Sequence, residues 1–236
     1  MKLRPRPQWG TIPRAPDAYG RSALGIPLEV WRPAGPCALL LFAAIHGEEP
    51  ETAFALSRAL RQLAEPSPHC AVVLAANPDG VIRGTRGNAR GVDLNRNFPT
   101  DDWQAQPVAH RSTLEDPQDV LLSPGAGPGS EPETKALIGL VKDLKPRTVI
   151  ALHAPLACID DANESPLGRW LAQQTGMPLV KGVGYATLGS FGTWGAEQKL
   201  AVITYEFPLA TTDALVRTHV PILVRLLTDP AAGGAR

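Results

Sequence analysis

The sequence predicts an α/β fold: one domain, residues 1–236, on a mixed, mostly parallel sheet flanked by helices, with residues 1–18 as an extended N-terminal arm. Two observations carry this. Short apolar runs alternate with amphipathic segments, the pattern of strands covered by helices. Most of those runs lack polar alternation, as strands buried on both faces do. A chain that is 44% hydrophobic has enough apolar surface for one sizeable core, and its length needs no second domain.

The elements follow in order. Strands are expected at 27–32, 38–45, 70–76, 147–152 and 200–206. Between the second and third, residues 50–64 place Ala53, Leu56, Leu60 and Leu63 on one helical stripe. "NPDG" at 77–80 is a turn signal. Residues 99–132 are rich in Pro, Asp and Gly, and a loop of that length is functional or disordered. "SEPET" opens a helix, with Ser130 as cap and Glu133 three residues on. A last helix over 212–227 contains Pro221 and is expected to kink or restart there.

Composition narrows the function. Formal net charge is zero, which points away from nucleic acid or an anionic membrane as partner. No apolar run reaches the roughly 18 residues of a membrane span, and no apolar segment follows the basic N-terminus as in a secretory signal. Three widely spaced cysteines, Cys37, Cys70 and Cys158, read as reduced thiols in a cytoplasm.

Three apolar runs end in groups that bind metals or move protons. "LLLFAAIH" ends at His46, with Glu49 opening the next helix. Imidazole and carboxylate at a strand's C-terminal end suit Zn²⁺, although an exposed turn accounts for this pair alone. "RTVIALH" ends at His153, by itself also readable as a hydrogen-bonded strand-end histidine. His69 falls in a surface turn, His110 in the long loop and His219 in the last helix. "KLAVITYEFP" carries Glu206, a general base beside a metal or an ordinary solvent-facing glutamate. Arg83, Arg86, Arg90 and Arg96 concentrate positive charge over 77–99, where guanidinium suits a carboxylate or an oxyanion.

Assembled, these pieces resemble the zinc carboxypeptidases, the M14 metallopeptidases. HGEE at 46–49, NPDG at 77–80, R-x-x-R-x-N then DLNRNFP at 83–99, SEPET at 130–134, His153 and TYEFP at 204–208 stand in family order. The resemblance implies one Zn²⁺ held by His46, Glu49 and His153, with Glu206 as general base. Arg86, nine residues before Asn95, is the expected carbonyl-polarising arginine, with Arg83 the alternative. Asn95 and Arg96 match the pair that holds a substrate's terminal carboxylate. The family's mobile tyrosine falls here on Gly184, and the adjacent Tyr185 is taken as its substitute.

Within the family, "YGRSALGIPLEV" at 19–30 and "LHAPLACIDD" at 152–161 resemble members that cleave the γ-D-glutamyl–diaminopimelate amide of murein tripeptide. That resemblance implies a small peptide substrate, a cytoplasmic location and a possible homodimer. Asp160 or Asp161, with the segment around Phe191 and Thr204, is expected to read the far end of diaminopimelate. The alternatives are a general zinc carboxypeptidase, a deacylase of the aspartoacylase and succinylglutamate desuccinylase type, and a non-catalytic peptide-binding protein.

Overall fold

The computed structural model describes residues 2–111 and 119–231. Two short strands, β1 (Asp17–Arg21) and β2 (Pro27–Val30), pair antiparallel ahead of the main sheet. The main sheet's strands are β3 (Leu39–Phe42), β4 (Cys70–Val73), β7 (Thr148–His153), β8 (Ile159–Asp160), β9 (Leu179–Val180) and β10 (Ala201–Glu206). They lie in the order β4-β3-β7-β10-β8-β9. The first four run parallel, and β8 turns antiparallel against β10. All five strands expected from sequence are present; four are shorter than expected, and the fifth, expected at 147–152, is shifted by one residue to end on His153.

Side-chain alternation divides the core into two layers. Leu39 and Leu41 of β3, Ile150 and Leu152 of β7, and Ile203 and Tyr205 of β10 face one side. There they meet helices α1 (Pro50–Leu60), α4 (Pro166–Thr175) and α6 (Thr212–Thr228). Leu40, Phe42, Val149 and Ala151 face the other side, against α3 (Pro132–Leu144) and α5 (Phe191–Glu197). The remaining helix, α2 (Pro78–Arg83), lies in the NPDG segment. Residues on the α3–α5 side that approach the strands' C-terminal ends are the ones able to face a ligand there.

Five expectations change. Helix α1 ends at Leu60 rather than at 64. Ser130 does not cap α3: Glu131 is the cap residue, and Ser130 Oγ instead donates to Glu131 Oε1 at 2.9 Å. Helix α6 runs through Pro221 without a break. Pro221 stands on the exposed face, where solvent can satisfy the carbonyl that loses its partner. His69 is only 8% exposed, so it is no surface residue. The long loop is partly structured too: β5 (Val108–Arg111) and β6 (Asp119–Leu122) pair antiparallel, while 112–118 lie outside the described residues.

Candidate active site

Sheet register builds the centre of the site. His153 and Glu206 end neighbouring parallel strands as direct partners, so their side chains emerge side by side. His46 follows β3, beyond Ala44 at φ 49°, and Glu49 is the cap residue of α1. Thr52 secures that turn: its Oγ1 donates to Glu49 O at 2.7 Å and accepts from Ala44 N at 3.1 Å.

The loop that carries Arg86 is clamped to the same place. Asn77 Oδ1 accepts from Gly80 N and caps α2, while its Nδ2 donates to Ile45 O and Arg86 O, both at 3.2 Å. Gly47 lies so close to Gly80 that a Cβ on Gly47 would overlap the Gly80 backbone. "NPDG" needs its glycine for a different reason: a Cβ on Gly80 would overlap Asn77 Nδ2 and the carbonyl oxygens of Thr85 and Gly87. Asn88, last residue of the R-x-x-R-x-N stretch, donates from Nδ2 to Glu131 Oε2 at 2.9 Å and Glu133 Oε2 at 3.1 Å. The acids of "SEPET" therefore brace the arginine loop from behind.

His46, Glu49 and His153 converge, all buried, with one ligand-type atom from each lying within 4.8 Å of the others. Glu49 bridges the two rings: Oε1 lies 2.7 Å from His46 Nδ1, and Oε2 lies 3.2 Å from His153 Nδ1. Burial opposes ionisation of Glu49, yet the two histidines outweigh it and hold the carboxyl far below its usual range. Two imidazole nitrogens and one carboxylate oxygen, preassembled in a buried recess, form a donor set that fits zinc in a hydrolase. Asp93 stands behind them. Its Oδ1 lies 3.3 Å from His46 Nε2, within ion-pair range but without hydrogen-bond alignment, and its Oδ2 accepts from Arg86 Nε at 2.9 Å.

The group opens into a cavity of about 780 Å³, also lined by Arg86, Asn95, Arg96, Thr204 and Glu206. Glu206 is 6% exposed and accepts a long hydrogen bond from Leu156 N at 3.4 Å. Burial raises its pKa, with His153 opposing in part. Arg96 is buried and donates to Asn95 O at 2.7 Å, while Asn95 Oδ1 accepts from Phe191 N at 2.9 Å. Tyr185 stands on the rim, 58% exposed.

Two expected residues lie outside the cavity, and a third lines it. Arg83 is exposed, donates to Ala89 O at 3.0 Å and lies outside the cavity, which leaves Arg86 as the arginine of that pair facing the site. Asp161 is 2% exposed, and its carboxylate accepts from Asn163 N, Ser165 N and Ser165 Oγ, so it stabilises the approach to α4 instead of facing a substrate. Phe191 lines the cavity, its ring packed edge-on against Phe42 and Phe98.

Sequence reasoning passed over Asp93, Glu48 and His110. Glu48 Oε1 lies 3.2 Å from Arg86 Nη1 and 2.8 Å from Nε2 of His110, which β5 brings to the cavity wall. Asp93 carried one usable signal, as an isolated acid within an arginine-rich stretch.

Comparison with known proteins follows the same lines. The family model described as zinc carboxypeptidase matches residues 32–157. Murein peptide amidase A of Escherichia coli K12 is 44% identical over 95% of this chain and 94% of its own. Its counterpart in Vibrio campbellii is 39% identical over 98% of this chain and 94% of its own. The crystal structure of a murein-tripeptide amidase from Escherichia coli O157 superposes with TM-score 0.90 at 44% identity, covering 96% of this chain and 97% of that one. Carboxypeptidase A of Helicoverpa armigera shares the fold at TM-score 0.69 and 18% identity, over 95% of this chain and 70% of that one.

Proposed function

Because the chain belongs to the zinc carboxypeptidase family, we propose that it hydrolyses the amide between γ-D-glutamate and meso-diaminopimelate in murein tripeptide. The observation that carries the hydrolytic reading is the register of Glu206 beside His153, within one cavity that also holds Arg86 and Arg96. The substrate reading is supported by the near full-length likeness to murein peptide amidases.

His46, Glu49 and His153 would hold the zinc. Bound there, the metal supplies Lewis acidity toward a water and a carbonyl oxygen. Glu206 takes the proton of the attacking water, helped by the proton affinity that burial gives it. It then delivers that proton to the leaving amine. Arg86, aimed by Asp93 and Glu48, stabilises charge on the carbonyl oxygen as the tetrahedral centre forms. Arg96 and Asn95 hold the carboxylate beside the scissile nitrogen, which diaminopimelate carries as any C-terminal residue does. A cytoplasmic site of action is part of the proposal and agrees with three unpaired cysteines.

Glu206→Gln tests the role of the base. It keeps the side chain's shape and removes its proton acceptor, so turnover should fall by at least about 10² with zinc retained. A variant that keeps near wild-type turnover with zinc bound would make Glu206 a structural residue.

A further inference from the structure

One row of side chains leads from the reaction centre to the edge of the sheet. Ala151 of β7 pairs with Thr204 of β10, Thr204 with Asp160 of β8, and Asp160 with Val180 of β9. Lys181 follows directly. Ala151, Thr204, Asp160 and Lys181 all line the reaction cavity. Thr204 lies two residues before Glu206 and Asp160 one strand further out, so Asp160 sits about 8 Å from Glu206 in the sheet. Five bonds separate the scissile nitrogen of diaminopimelate from its distal stereocentre, a reach of about 6–7 Å. The two lengths agree.

The chemistry agrees as well. The Asp160 carboxylate is half-buried and has neither a hydrogen bond nor an ion pair among the described residues. Such a group is costly to desolvate unless a cation meets it. Burial and the adjacent Asp161 raise its pKa, a strain that a substrate ammonium would relieve. Among the described residues Lys181 forms one ion pair, with Glu164 at 3.3 Å, an exposed pair of the kind that contributes little and is readily exchanged. The distal centre of diaminopimelate bears one ammonium and one carboxylate.

We propose that Asp160 and Lys181 together read that distal zwitterion, Asp160 binding the ammonium and Lys181 the carboxylate. This rests on the amidase reading above and adds the two residues that give it selectivity.

The test is kcat/KM of the zinc-loaded protein on three peptides sharing L-Ala-γ-D-Glu. One ends in meso-diaminopimelate, one in L-Lys, which lacks the distal carboxylate, and one in L-2-aminopimelate, which lacks the distal amine. The wild type should prefer the first by about 10². Lys181→Gln should shrink the diaminopimelate-to-lysine ratio about tenfold, and Asp160→Asn the diaminopimelate-to-aminopimelate ratio by at least as much. Ratios identical to wild type in both variants overturn the assignment, because damage confined to folding would lower all three rates alike. A wild type that hydrolyses all three peptides equally overturns this inference alone, whereas one that hydrolyses none of them overturns the amidase reading, and this inference with it.

Discussion

Asp93→Asn separates the two tasks that one buried carboxylate performs. Oδ1 accepts from Asn95 N at 2.9 Å and faces His46 Nε2, while Oδ2 holds Arg86 Nε. In the variant the amide oxygen can keep the first two contacts. The amide nitrogen then confronts the Nε–H of Arg86, donor against donor, and the guanidinium is left with Glu48 Oε1 at 3.2 Å and the more distant Glu49 Oε1 at 3.6 Å, both on Nη1. Losing an aimed donor to an oxyanion costs about 10²–10³ in kcat. His46 keeps a dipole behind it but loses the full counter-charge, and a change of this sort behind a metal ligand weakens affinity about 10–100-fold. The expected result is kcat lower by about 10² at saturating zinc, KM changed little, and zinc affinity lower by about tenfold. Chelator competition gives the affinity, and steady-state kinetics on murein tripeptide at saturating zinc give the rest. Zinc affinity and kcat both within about threefold of wild type would refute the reasoning. A rise in KM alone would move Asp93 to substrate binding.

Two further outcomes concern the frame of the site. Gly47→Ala drives a Cβ into the Gly80 backbone, and Asn77 prevents retreat, so stability should fall by about 3 kcal/mol in urea titrations. A loss below about 0.5 kcal/mol would show that the contact is soft. His219 is buried against Tyr205 Oη at 2.6 Å, and burial lowers its pKa to about 4. A depressed histidine pKa means the unfolded chain binds more protons between about pH 4 and 6.5, so this stability is complete above that window and declines as pH falls through it. Between pH 7.5 and 5.5 the decline is at most about 1.3 kcal/mol. His219→Gln should lose that share of the slope, and an unchanged slope would contradict the shift.

The strands and the ends that carry His46, His153 and Glu206 are legible in the sequence because each apolar run stops abruptly at a polar group. Their convergence is not, since it depends on strand order and on the register that pairs Glu206 with His153. The choice between Asp160 and Asp161 turns on which of two adjacent residues faces the cavity, and β8 is only two residues long, too short for alternation to show. His110 reaches Glu48 through the pairing of β5 with β6, inside a stretch that reads as loop because Pro, Gly and Asp dominate it. Spacing to Asn95 favours Arg86 over Arg83 in the sequence, and the left-handed turn at Gly84 that ends α2 is what parts them in space.

The most direct measurement is kcat/KM on L-Ala-γ-D-Glu-meso-diaminopimelate beside an α-linked peptide with an apolar C-terminal residue, for the zinc-loaded protein, after chelation, and after zinc is restored. The account predicts a preference of about 10² or more for the murein tripeptide, lost on chelation and recovered with zinc. Full activity in the metal-free protein, or a preference for the α-linked peptide, would contradict it.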